Sequence, residues 1–238
     1  MAVEPAKKAR APLTRERVLR AAVDLADERG IDALTMRALG QDLGVEAMSL
    51  YNHVTNKADI LAGIVDVICE EIVAAVNEIP QPDDPADWKR VVRARILRAR
   101  DVHLQHRWAP ALLETVTDIP PSLLGYYEQL LATMREGGFS LDLAHHAMHA
   151  LGSRALGFAQ ELFMDADHDI DPDLMSMMLK QMAGRYPNLA DLMKIVVHDP
   201  ESTLGGCDDQ FEFEFGLDVT LDGLDRLREA DWQSPAHP

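Results

Sequence analysis

"LTMRALGQDLGVEAMSLYNHVTNKADIL", residues 34–61, sets short apolar stripes on either side of one glycine turn. Thr35 is a side-chain cap for a helix that carries Leu39 and Leu43 inward, and Gly44 is the residue that stops it. Val45 then leads into a further helical element that runs on toward Ile60. With a first helix ahead of it, this spacing predicts a helix-turn-helix whose motif covers residues 35–54.

The second of the two helices is crowded on its outer side. With Leu50 at the centre of the buried face and about 100° per residue, Val54 and Ala47 fall in the inward half. Met48 and Asn52 point away, Ser49 and Tyr51 flank them, and His53 and Lys57 come at the helix end and in the following turn. Small and apolar side chains suit base edges and thymine methyls, while Ser, Tyr, His and Lys reach phosphate oxygens. Arg37 stands in the first turn behind Thr35, where free N–H groups and the helix dipole favour an anion. The exposed face of an ordinary bundle would not explain the whole spaced set.

The charge pattern agrees. Within residues 1–57, nine basic groups against eight acidic ones leave a net of +1, so the remainder carries −18 of the total of −17. An acidic body repels a polyanion and the amino-terminal end does not, so nucleic-acid contact belongs to that end. Its tail, "AKKARAP", is basic and without periodicity, and Lys7, Lys8 and Arg10 are free to follow a duplex backbone or reach a minor groove.

Outward from the motif, Thr14 caps a first helix whose stripe is Val18, Ala22, Leu25 and Ala26, with Leu13 and Val18 as its staple and Gly30 at its end. Asn56 with Asp59 makes a reciprocal cap for a long fourth helix carrying Leu61, Ile64, Ile68, Ile72, Val76 and Ile79. "PQPDDP" breaks the chain, and Asp84-Pro85 starts a fifth helix from about Ala86 to His106. Further helical stretches are expected near 110–115, 120–136, 141–164, 173–184 and 188–197. "FEFEFGLDV", residues 211–219, alternates like a strand, yet Phe213, Leu217, Leu221, Leu224 and Leu227 share one helical stripe. With no second strand to pair with, it reads as helix over 209–230.

Aromatics at 5% and a mean hydropathy of −0.14 describe an aliphatic core in a globular chain. Cys69 and Cys207 stand apart, without metal-ligand spacing, as in a reducing compartment. There is no signal-peptide pattern, and "ILAGIVDVI" falls short of the ~20 apolar residues of a membrane span. A cytoplasmic protein with no membrane partner is expected. Neither a nucleophile elbow, a P-loop nor a GxGxxG after a strand is present, so no enzyme and no cofactor is expected.

Residues 13 to about 70, with 34–61 as the dense motif, resemble the DNA-binding domain of the TetR family of transcriptional repressors. "REGGFSL", "ALGF" and "FEFGLDVTLDGL" resemble the regulatory domain of its tetracycline-repressor-like branch. The resemblance implies an all-α chain: a three-helix DNA-binding domain joined by a long helix to a larger helical ligand-binding and dimerisation domain. On that reading residues 1–12 are a disordered tail, 13–60 the DNA-binding domain, 61–79 the connecting helix and 80–234 the regulatory domain.

It assigns DNA contacts to Thr35, Arg37, Ala47, Met48, Ser49, Tyr51, His53 and Lys57. Ala47 and Met48 stand where the family varies with operator sequence, and neither side chain can hydrogen-bond a base. Stretches 141–164 and 209–230 are its four-helix dimer interface. The partners implied are a double-stranded DNA operator, a second copy of the chain and a small-molecule effector. Effector contacts are sought at His103, Leu104, Met134, Phe158, Glu161 and Met178. In tetracycline-type members a His and a Glu help hold a ligand-bound magnesium, and His103 and Glu161 lie at comparable places; no metal is expected here.

Other features have plainer readings. Lys89, Arg90, Arg93, Arg95, Arg98 and Arg100 read as a solvated face pairing with the acidic surplus. His145 and His149 have metal-ligand spacing without a third ligand. Six methionines within 164–193 suit a cavity or a core equally. The alternatives are a DNA-binding protein whose second domain only dimerises and, more remotely, a helical metal-dependent enzyme.

Overall fold

The computed structural model describes residues 12–113, 115, 120–157, 177, 184–188, 191 and 209–235. Every regular element among them is helical, as the periodicity predicts. The helices expected over 173–184 and 188–197 lie largely outside the described residues, as do the tail before residue 12 and Cys207. The chain divides into two compact units, Met1–Gly137 and Gly138–Pro238.

In the first unit, α1 (Arg15–Arg29) starts where the Thr14 hydroxyl accepts from the Arg17 N–H at 3.2 Å, and it stops at Gly30, φ +80°. A short 3-10 turn, Ile31–Ala33, follows. α2 (Met36–Leu43) is capped by Thr35, whose Oγ1 accepts from the Ala38 N–H at 3.1 Å, and it ends at Gly44 in the left-handed region, φ +64°. Gly40 is the second required glycine. A Cβ there would lie 3.0 Å from the Val45 carbonyl oxygen and 3.2 Å from Ala47 Cα, so its hydrogen is what lets the two motif helices close.

Within Val45–Ile60 one helix ends and another begins, as the cap expected at Asn56 requires. α3 spans Ala47–Leu50, with its hydrogen bonding carried on to His53 and Val54, and α4 begins afresh at Lys57 (Lys57–Asn77). The break is made by side chains that compete with the backbone ladder. Asn56, extended at φ −167°, accepts from the Asp59 N–H at 2.9 Å, while Asp59 Oδ2 accepts from the Thr55 N–H at 2.7 Å. The reciprocal half of the cap thus goes to Thr55 rather than Asn56.

Ile60, Ile64, Ile68, Ile72 and Val76 bury one face of α4, and α1, α5, α6 and α7 pack around it. Asp84 caps a 3-10 turn at Pro85–Asp87, which leads into α5 (Trp88–Gln105), two residues later than expected. α6 (Ala109–Leu113) and α7 (Pro121–Glu136) complete the unit.

α1 and α4 run in one direction. Arg15 meets Asp59 and Leu19 fills the space beside Gly63, 44 residues on in each case. Toward the far ends, Arg20 pairs with Glu71. There the His106 ring, after α5, lies 2.9 Å from both Asp27 oxygens through Nδ1 and 2.9 Å from Glu71 Oε2 through Nε2. Trp108 Nε1 donates to Asp27 Oδ1 at 2.6 Å. One cluster of polar side chains therefore joins α1, α4 and the corner between α5 and α6.

In the second unit, α8 (Leu141–Gly157) packs on α9 (Asp209–Glu229). Phe213, Leu217, Leu221 and Leu224 are buried along α9, and Leu143, Ala144, Ala147 and Leu151 along α8. Residues 211–219 are thus helix, because one stripe with a partner outweighs local alternation. Leu227, expected on the same stripe, is 36% exposed at the helix end.

Candidate nucleic-acid interface

The residues singled out by sequence lie on α2, α3, the turn after it and the first residue of α4. Thr35 and Arg37 are exposed at the start of α2. Met48 is 74% exposed and Tyr51 47% exposed, with Leu50 and Val54 buried beneath them. Asn52 and Lys57 are exposed, and Ala47, Ser49 and His53 are half-buried.

Behind that face lies a network the sequence reading missed. Asp59 Oδ1 accepts from Arg15 Nη2 at 2.7 Å, and Oδ2 accepts from Arg15 Nη1 at 3.1 Å and from the Thr55 hydroxyl at 3.1 Å. Arg15 Nη1 also donates to the His53 carbonyl oxygen at 3.3 Å. The Arg15 hydrogen bond first, then the Thr55 N–H, hold the Asp59 carboxyl at about 2, so it stays ionised.

Of the effector candidates, His103 is half-buried on α5, Leu104 is 45% exposed, and Met134 is fully buried on α7, which packs against α5. Phe158, Glu161 and Met178 lie outside the described residues. Burial, then the charges of His106 and Arg100, push His103 down to about 4, so its ring is neutral. Its Nδ1 is buried without a hydrogen-bond partner among the described residues, as is Arg95 Nε on the same helix.

Arg95 corrects the reading of the basic run. Arg90 pairs with Asp87 and Arg98 with Glu78 at the surface, but Arg95 is 1% exposed. Its guanidinium donates to the Gln129 carbonyl oxygen at 3.1 Å, Thr133 Oγ1 at 2.7 Å and the Ile79 carbonyl oxygen at 3.2 Å. Burial works against that charge and lowers its pKa. A signal existed: Arg95 shares the stripe of Trp88, Val92, Ala99 and Val102.

His145 and His149 are exposed on α8 with ring centroids 4.6 Å apart. No group of three side chains able to hold a metal occurs among the described residues. Cys69 is buried, and burial foremost, then Asp66, pushes its thiol up to about 11, which leaves it unreactive. None of the described helices is long and apolar enough to cross a membrane.

Comparison with known proteins follows the same division of the chain. Residues 18–64 match the family of bacterial regulatory proteins described as the tetR family, and residues 81–228 match the tetracyclin repressor-like C-terminal domain. The HTH-type transcriptional repressor DrrR1 of Streptomyces coeruleorubidus is 27% identical over 94% of this chain and 81% of its own. The class D tetracycline repressor of Escherichia coli is 36% identical over 63% of this chain and 67% of its own. Apo ActR from Streptomyces coelicolor superimposes with a TM-score of 0.68 at 26% identity, covering 94% of this chain and all of its own. Two halves that each carry the matching pattern, in the matching order, leave one conclusion: the chain belongs to the tetR family of bacterial regulatory proteins.

Proposed function

We propose that the protein is a ligand-responsive transcriptional repressor that binds a palindromic operator as a homodimer and is released by a small molecule. The observation that carries the DNA reading is the exposed Met48–Tyr51 face, set between Arg37 at one helix start and Lys57 at another. In this reading Ala47 and Met48 meet base edges, while Thr35, Arg37, Ser49, Tyr51, His53 and Lys57 hold phosphates. Few direct hydrogen bonds to bases follow, so groove shape and thymine methyls carry much of the selectivity.

One such head reads few bases, and doubling it supplies affinity and a two-fold target. Phe211, Phe215 and Val219 recur every fourth residue on α9 and are each more than half exposed, which suits a second copy of the chain. The effector reading is supported by the polar atoms Arg95 Nε and His103 Nδ1 on α5, which have no partner among the described residues, since buried polar groups ordinarily have partners. ActR, 28% identical over 90% of this chain with a TM-score of 0.65, is solved in complex with (S)-DNPA, and other relatives are tetracycline repressors. An effector favouring one head spacing shifts operator affinity by the difference in its own affinity for the two states, typically about 1–3 kcal/mol.

Selection of bound duplex from a random pool tests the reading. The enriched sites should be palindromic, with half-sites about 34–36 Å apart or a multiple of that. Tyr51→Ala should weaken binding to the selected site at least tenfold while sedimentation still reports a dimer. Wild-type affinity in that variant would remove the face from the assignment.

A further inference from the structure

An acidic side chain in the first turn of α4, two residues beyond Lys57, is out of place on a surface meant to meet phosphates. Left bare, it would repel them at close range. Asp59 is not bare: both its oxygens are taken by the two prongs of Arg15, and one of them also by the Thr55 N–H and hydroxyl. The same guanidinium reaches the carbonyl of His53, in the turn that carries Tyr51. Because α3 is a single short turn and α4 starts anew, the backbone alone does not fix the path from Leu50 to Lys57.

We propose that Arg15 and Asp59 are positioning residues for operator recognition: the forked pair fastens the first turn of α1 to the first turn of α4 and to the His53 carbonyl, holding Tyr51, His53 and Lys57 against the groove without touching DNA. The assignment rests on the DNA-contact reading above. Arg15 matters for its fork, which a lysine does not reproduce. Asp59 matters although its charge opposes the ligand's. A residue touching phosphate and one that only positions other residues leave opposite traces in salt dependence and in the effect of removing the acid.

The test uses the full-length protein and an operator duplex selected from a random pool, with binding measured by fluorescence anisotropy at several salt concentrations. Arg15→Gln, Arg15→Lys and Asp59→Asn should each weaken binding about fivefold. The slope of log affinity against log salt should stay at the wild-type value, because no phosphate contact is lost. The Arg15→Gln/Asp59→Asn double variant should bind no more weakly than the worse single one, as for two halves of one contact. If Arg15 grips a phosphate instead, Arg15→Gln lowers the slope by about one and Asp59→Asn, freeing the guanidinium, tightens binding; either result overturns the proposal.

Unchanged affinity in all three variants overturns it as well. Should Asp59→Asn fail to fold by circular dichroism, the Arg15 pair of variants decides alone, since Arg15→Lys keeps every cap. Tyr51→Ala runs beside them: a loss there with no loss in the Arg15 and Asp59 variants rejects the positioning role and leaves the DNA-contact face standing. No loss in any of the four rejects the face itself.

Discussion

The two ends of the α1–α4 pair are both tied by charged side chains, and the ties differ in kind. At the tip, Arg15 and Asp59 have side chains 45% and 26% exposed, and solvent screens their attraction to about 1 kcal/mol or less. At the base, the His106 side chain is 10% exposed between Asp27 and Glu71, with Arg20 and Trp108 completing the set. The His106 ring alone is enclosed, since Asp27 and Glu71 are each 28% exposed, so it is the ring that loses its hydration on folding and whose removal leaves both carboxylates without it. The head is therefore organised for placement of side chains, and the body beneath it for stability. Tip substitutions should show in binding, and body substitutions in unfolding.

The sharpest way to break that contrast is inside the body. Arg95→Ala should lower unfolding free energy by about 3 kcal/mol or more, because it opens a cavity and leaves buried acceptors of Ile79, Gln129 and Thr133 without their donor. Arg95→Met, which fills the space without a charge to desolvate, should cost distinctly less. Urea midpoints of the two variants check the order; equal losses would mean the charge itself holds α4, α5 and α7 together.

Next in size is a pH effect at His103. Its folded pKa of about 4 lies below the ordinary 6.5, so the unfolded chain binds the proton more readily. Stability is complete above about 6.5 and falls as pH drops toward 4, by up to about 3 kcal/mol in all. His103→Leu should flatten the dependence of the urea midpoint between pH 4.5 and 7.5. Asp59 acts in a separate window: its contribution is present above 3.8 and is lost as pH falls through about 2.

The smallest effect belongs to the outer face of α5. Arg98→Ala removes an exposed pair with Glu78 and should change stability by less than about 0.5 kcal/mol. A larger loss would place that face with the core rather than with the surface.

Local chemistry made much of the fold legible. Thr14, Thr35 and Asn56 cap the helices that their sequence neighbours call for, Gly30 and Gly44 end the ones before them, and the stripe from Phe213 to Leu224 separates helix from strand. These signals act within four residues, so a single chain displays them. The outward Met48 and Tyr51 were legible for the same reason, by their angle from Leu50. Long-range pairing was not. Nothing near His106 in sequence points to Asp27, 79 residues away, or to Glu71, 35 away. Arg95 looked like one more solvated arginine because its acceptors are neutral and distant in the chain. The break after α3 was legible in the Asn56 cap, but the part taken by Thr55 in that cap was not.

The shared direction and double fastening of α1 and α4 have a mechanical consequence. The Arg15–Asp59 and Arg20–Glu71 pairs, with Leu19 packed beside Gly63, couple the two rods, so a rotation near residue 71 would carry both. Across the 21 residues of α4, about 30 Å at ~1.5 Å per residue, a tilt of roughly 5° carries the far end about 3 Å. That nearly equals one base step of about 3.4 Å along a strand. A very small rotation at the base is thus geared up to the unit in which a duplex is read.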